Sequence, residues 1–517
     1  MFRFRERMVL SWYSGRQNRA NQKGRCVDIS KLENYKENNR LEAKAAQGGL
    51  PRSVWETVSA FANTEGGIIV LGAKERKDGT LEIAGLADAD KMLDDFWNAA
   101  HSPDKLSCCV MSDRDARIED VDGKELIVIE VPRANRRLRP VYVNGNPVTG
   151  TYRRDHKGDY RCAQNEIQAM YRDASDESVD TRVHENLTVD DLSAETIGSY
   201  RRSYELHHSA HAWTDLPDEE FLCRIGAAKI GDDGKTHPTS AGLLMFGEEW
   251  RIMAEFPHYF LDYRQELGVD ERWQARITSQ DDSWSGNVFD FYRRVFNNMK
   301  QAINVPFRLD ENSLRVDETE AHDALREALA NCLTNADYNE RRGVVFLWKE
   351  DGLHLSNPGG FRIGIEEAYI GGNSDPRNET MMKMFTLINI GERAGGGIPD
   401  MVKKWTEAGY GRPVLSERVN PERSSIFLPL VKESESNISS FISSPNDEIS
   451  LDDDQITVLD VMKSDPTATY PEIARMTGFS ESKVYRISGA LREKGIIERV
   501  GSRKTGVWKV LVEPSRQ

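Results

Sequence analysis

Glu37, Glu42 and Glu75 are the first residues whose type and spacing suggest chemistry. Glu37 and Glu42 precede a helix expected from about Ser53 to Ala62, and Glu75 follows a short apolar run, Ile68 to Leu71. A strand–helix–strand unit brings three such carboxylates together, with Lys44 beside them. Clustered carboxylates offer the hard oxygen ligands that Mg²⁺ takes. The same charges equally suit a solvated strand edge. A second set begins with Glu327 and Asn331, four positions apart and so on one helix face. Asn335, Asp337 and the loop Asn357-Pro358-Gly359-Gly360 come next. The later run Gly395-Gly396-Gly397 has backbone N–H groups able to approach phosphates. The third set is Ser482, Lys483, Tyr485 and Arg486 near the start of a helix, with Arg503 and Lys504 in a later turn.

The elements that must position these groups follow from periodicity. Val54, Val58 and Phe61 share one face of the first helix, which Asn63 to Gly67 end. Ile68 to Leu71 is apolar throughout, as in a strand covered on both faces. Leu126 to Pro132 is a second β-prone run and leads into Arg133, Arg136, Arg137 and Arg139. With Tyr142 and Tyr152 these arginines suit phosphate contact and base stacking, or a charged sheet edge. Asp173 to Asp180 reads as an acidic linker, and Thr188 to Tyr204 begins a new helical unit. His207, His208 and His211 raise a metal reading, against which no further ligand cluster lies close in sequence. Ser240 to Gly247 reads as a buried helix or strand. Ala324 to Ala336 is helical, and Val344–Trp348 with Leu353–Leu355 forms a hairpin around Asp351-Gly352.

Near the end of the chain, Ile456 to Met462 and Tyr470 to Thr477 are helices, the second closed by Gly478. Glu481 to Lys494 is a third, with Val484, Ile487 and Leu491 inward. Ile496–Val500 and Val507–Val510 then pair as a two-stranded wing.

With 517 residues and a net charge of −15, the chain is long enough for about three or four domains and too acidic to coat nucleic acid uniformly. Its six cysteines lack metal-ligand spacing and fit reduced thiols of the cytoplasm. No run approaches the roughly 20 apolar residues of a membrane span, so no membrane partner is expected.

Three resemblances join these stretches into an α+β multidomain fold. Ser-Ala-Phe-Ala-Asn-Thr-Glu-Gly-Gly before an apolar strand, with Leu-Glu-x-Lys upstream, resembles the Schlafen AlbA-like α/β domain, over 30–175. In Schlafen ribonucleases three acids at corresponding places bind a divalent metal and cut RNA. The resemblance assigns those roles to Glu37, Glu42 and Glu75, with Lys44 alongside. The second block, 318–431, resembles the Bergerat-type ATPase-like α/β sandwich of the gyrase, chaperone and histidine-kinase superfamily. It implies ATP and Mg²⁺, with Glu327 as the water-orienting base and Asn331 as the Mg²⁺ ligand. Asn335, Asp337, Asn357, Gly359, Gly360, Gly395, Gly396 and Gly397 would contact the nucleotide. The usual Asp of the Asp-x-Gly-x-Gly loop is replaced by Asn357, which keeps an acceptor without the charge.

The third block, 455–513, resembles a winged helix-turn-helix. There the exposed start of the third helix reads base edges and the wing tip meets phosphates. A basic arm (1–29), a middle module (185–317) and an acidic, Ser-rich linker (432–454) complete the order. Bacterial proteins of this organisation are described as transcriptional regulators, so the first expectation is a cytoplasmic, homodimeric DNA-binding regulator with a nucleotide-responsive domain. The alternative is a Schlafen-like metal-dependent endoribonuclease acting on RNA in defence or stress.

Overall fold

A computed structural model describes residues 32, 35, 37–209, 211–268, 273–303, 319–391, 396–419, 421–431, 453–465, 467–493, 497–500 and 507–510. The basic arm, nearly all of the acidic linker, Gly395, Arg503 and Lys504 lie outside these. The chain divides into two compact units, one holding residues 27–434 and the other the C-terminal helices and wing.

The first unit opens on a four-stranded sheet. Strand β1 (Leu41–Lys44) runs parallel to β2 (Gly67–Leu71) through helix α1 (Ser53–Asn63). A short hairpin, β3 (Ala73–Glu75) with β4 (Leu81–Ile83), comes after it. Helix α2 (Ala89–Ala100) leads to β5 (Ala116–Val121) and β6 (Lys124–Val131), and the sheet order is β1-β2-β6-β5. Ile127, Ile129 and Val131 pack on the helix side, and Leu126 and Val128 on the other. Both faces are covered, which is why these strands read as unbroken apolar runs.

The polar residues of α1 have structural duties. Ser59 Oγ donates to the Val141 carbonyl at 2.7 Å and accepts from the Tyr152 amide at 3.0 Å. The Asn63 side-chain amide binds Val141 N and O, both at 2.8 Å, and Tyr152 O at 3.0 Å. Thr64 Oγ1 accepts the Arg154 amide at 2.9 Å. Together they fix strand β7 (Tyr152–Asp155), which pairs with β8 (Gly158–Arg161). Gly67 is required because a Cβ there would meet the Phe61 ring at 2.7 Å.

Helix α3 (Gln164–Ala174) leaves this domain. The stretch read as an acidic linker, Asp173 to Asp180, is instead pinned at both ends. Asp173 and Asp180 are buried, and Asp180 accepts from Ser178 Oγ at 2.6 Å and the Met381 amide at 2.9 Å. Buried carboxylates with such partners bind a segment down.

The middle stretch and the ATPase-like block share one core. Helix α4 (Ala194–His207), helix α5 (Ser240–Phe246) and helix α6 (Val288–Met299) pack into one cluster with α7 (Glu320–Asn335). Strands β9 (Leu261–Glu266) and β10 (Ala275–Thr278) join β11 (Val344–Lys349), β12 (Gly352–Pro358), β13 (Val414–Val419) and β14 (Glu422–Pro429) in one sheet, ordered β10-β9-β11-β12-β14-β13. Helices α8 (Glu379–Leu387) and α9 (Gly397–Glu407) lie with α7 in that core.

In the second unit, α10 (Asp453–Ser464), α11 (Tyr470–Thr477) and α12 (Glu481–Glu493) pack with β15 (Ile497–Val500) and β16 (Val507–Val510). Val484, Ile487 and Leu491 are buried as expected, beside Met462, Ile473 and Trp508. Thr469 and Glu472 form the reciprocal cap of α11, and Gly478 ends that helix at φ +74°.

Candidate functional site

The sheet edge brings the first acidic set together. The Glu37 carboxylate accepts the Ala43 amide at 3.0 Å. Burial pushes its carboxyl up and the Ala43 N–H opposes this, while the charges of Glu42 and Glu75 add to the rise. The three acids therefore share one electrostatic neighbourhood. Protein cations occupy two of them. Glu42 binds Lys44 Nζ at 2.8 Å through one oxygen and Arg154 Nη2 at 2.8 Å through the other, and Glu75 binds Lys157 Nζ at 2.9 Å. Arg154 also reaches Asp159 at 2.8 Å. Among the described residues, no group of three or more His, Cys, Asp or Glu is arranged to hold a metal ion. The donor types suit Mg²⁺, and protein cations hold two of the three acids here.

The histidines behave likewise. His208 Nε2 lies 2.9 Å from the Leu387 carbonyl and its ring stacks on Tyr204, whose hydroxyl is 2.9 Å from His211 Nδ1.

Helix α7 presents Glu327, Asn331 and Asn335 along one side of a cavity of about 60 Å³. Asn331 Nδ2 donates to Glu327 Oε1 at 2.8 Å, and Asn335 Nδ2 to the Asn331 carbonyl at 2.9 Å. Asn357, Arg362, Asp375 and Gly397 also line it. A Cβ on Gly397 would overlap Glu327 Oε1, so glycine is what lets the N-terminus of α9 close on that carboxylate. Glu327 and Asn331, expected to hold Mg²⁺ and nucleotide, both line this cavity and are of donor types that suit them. A metal-bound nucleotide would supply the electrophilic phosphorus. The volume takes a phosphate-sized group, so a whole nucleotide requires the walls to part.

Gly359, Gly360 and Asp337, also expected at this pocket, face other groups. A Cβ on Gly359 would overlap the Arg377 guanidinium, and one on Gly360 would overlap the Glu417 carboxylate. Asp337 accepts from Arg172 Nη2 at 2.9 Å. These groups belong to a buried junction with the AlbA-like domain. Arg377 donates two bonds to Asp173, at 2.9 and 2.8 Å, and Arg136 pairs through two bonds with Asp375. Arg133 holds Glu417 through two bonds. The arginines after β6 read as phosphate contacts or a solvated edge, yet Arg133, Arg136 and Arg139 lie in this junction, while Arg137 pairs with Asp176 at the surface. Burial pushes the Asp173 carboxyl up, but Arg377, with Arg362 and Arg139, outweighs it and holds the group at about 2.

On α12, Tyr485 is 61% exposed and Arg486 is exposed beside it. Lys483 is committed within its own unit, 2.8 Å from Asp454 and over the Phe479 ring at 3.9 Å. Ser482 is placed in the helix, but its side chain lies outside the description.

These folds define a multidomain protein with an AlbA-like domain and an ATPase-like domain built into one unit, and a winged helix in another. Family models agree. Residues 32–163 match Schlafen AlbA_2, 346–422 match the recG C-terminal model (HATPase_c_4), and 451–498 match the winged helix-turn-helix DNA-binding model. Residues 168–262 match a domain of unknown function, DUF8451. The chain belongs to the proteins that join a Schlafen AlbA_2 domain, a recG C-terminal-type ATPase-like domain and a winged helix-turn-helix. It is similar to the DIP2311 protein of Corynebacterium diphtheriae at 18% identity over 94% of each chain, with a TM-score of 0.39. It is also similar to the N-terminal domain of a RecG-related protein of Nitrosomonas europaea, at 34% identity over 26% of this chain and 89% of that one, with a TM-score of 0.21. None of the curated proteins matches this chain.

Proposed function

We propose that this protein is a DNA-binding transcriptional regulator of the cytoplasm, with the ATPase-like domain responding to a nucleotide. The observation that carries the reading is α12, which turns Tyr485 and Arg486 outward from a winged helix-turn-helix. Such a helix enters the major groove with the residues of its first turns against base edges. The AlbA-like domain contributes a second nucleic-acid contact. ATP with Mg²⁺ binds beside Glu327 and Asn331 and biases the regulator because it binds two states unequally. The active form is a homodimer, since paired half-sites mirror a two-fold protein.

Selection of bound duplexes from a random pool by the full-length chain tests this. The reading requires enrichment of a related set of sequences, lost in a Y485A/R486A variant. A pool that stays random removes it. Light scattering that gives a monomer with and without the selected DNA removes the dimer.

A further inference from the structure

One cation beside the α7 cavity lacks full partners. Arg362 lines this cavity with a side chain only 3% exposed. Its Nε is buried without a hydrogen-bond partner. Its other contacts are long. Nη1 lies 3.4 Å from the Pro376 carbonyl and 3.6 Å from Asp375 Oδ1, and Nη2 lies 3.5 Å from Asp173 Oδ1. A full charge-assisted bond is about 2.7–2.9 Å. Both carboxylates are already engaged through two bonds each, Asp173 by Arg377 and Asp375 by Arg136. Arg377 and Arg136 thus hold the two carboxylates, and Arg362 has no two-bond carboxylate partner of its own. Burial first, and then the Arg377 charge, pull the Arg362 guanidinium below its ordinary range, with Asp173 and Asp375 opposing and Arg136 adding. A buried guanidinium with incomplete hydrogen bonding is costly.

We propose that Arg362 is an oxyanion-binding residue, which takes a phosphate group of a small ligand entering the α7 cavity. The phosphate gives the guanidinium the short charge-assisted bonds that its present contacts lack. The cavity, about 60 Å³, admits such a group as it stands. Asp173 comes from the AlbA-like side of the junction and Asp375 from the ATPase-like side. A bound anion therefore also sits where the two domains meet. The inference rests on the reading of this cavity as the ligand pocket of the ATPase-like domain. The phosphate belongs either to a nucleotide or to a small free phosphate compound.

Calorimetric titration and thermal melting of the full chain with ATP, pyrophosphate and adenosine separate these sources. Wild type binds pyrophosphate, and melts higher with it. R362M loses about tenfold or more in affinity for pyrophosphate and ATP, and changes by less than about twofold for adenosine. R362M without ligand melts close to wild type, because the long contacts of Arg362 offset little of the cost of burying its charge. Should R362M fail to fold, R362K carries the test, since it keeps the charge but loses the planar two-donor fork. It weakens pyrophosphate and leaves adenosine unchanged. Pyrophosphate binding that depends on Arg362, with neither ATP nor adenosine bound, upholds the site and removes the nucleotide reading. ATP and adenosine binding that neither variant changes keeps the nucleotide reading and overturns the inference. Failure of wild type to bind either phosphate compound overturns it as well.

Discussion

Asp173 and Arg377, 204 positions apart, meet in a buried two-bond ion pair where the AlbA-like and ATPase-like domains join. Removing one partner strands the other. D173A is expected to destabilise the chain by about 3–5 kcal/mol, whereas a D173L/R377M double variant loses less than that, because no lone charge remains. Urea unfolding of the three proteins at neutral pH measures the difference.

The same pair sets a pH dependence. The folded Asp173 carboxyl lies at about 2, below the value of about 3.9 for an unperturbed aspartate. Its stabilising effect is therefore complete above pH ~4 and is lost as pH falls towards 2, amounting to about 2–3 kcal/mol. Unfolding measured from pH 6 to pH 2.5 should show this loss in wild type, and D173N should lack that part of the slope.

The acidic edge gives a prediction about catalysis. Lys44 and Arg154 occupy the two oxygens of Glu42, and Lys157 binds Glu75. Wild type is expected to leave structured RNA uncut in Mg²⁺ or Mn²⁺, with ATP present or absent. Cleavage by wild type that is lost in E37A/E42A would instead make the three acids a working metal centre.

At the pocket, Gly397 and Glu327 need each other. G397A places a methyl group on the Glu327 carboxylate, and overpacking of this kind costs about 1–3 kcal/mol. Shortening the partner in G397A/E327S should recover most of the melting temperature. A double variant no more stable than G397A would show that the clash is not the cause.

Much of the fold was legible because its signals are local. Ser59, Asn63 and the glycines after them act within α1 and the strands it holds, so their motif travels as one stretch. The winged helix is equally local, with Gly478 and the inward Val484, Ile487 and Leu491 marking it out. The junction was not legible. Arg133, Arg136 and Arg139 look the same in sequence whether they meet phosphates, solvent or carboxylates, and the partners of Arg133 and Arg136 lie more than 200 positions away. Gly359 and Gly360 were misleading for a related reason. Glycine marks a close approach without saying what approaches, and here it is Arg377 and Glu417. The pairing of Lys483 with Asp454 was hidden in the same way.

The central claim is that α12 reads DNA under the control of a nucleotide. The most direct measurement is a titration of the selected duplex with full-length protein at fixed salt, with and without ATP and Mg²⁺. Wild type should bind with an affinity that ATP shifts by about fivefold or more. Y485A/R486A should lose about tenfold or more at either nucleotide state. Equal binding by wild type and Y485A/R486A, or an affinity that ATP leaves unchanged, would contradict the account.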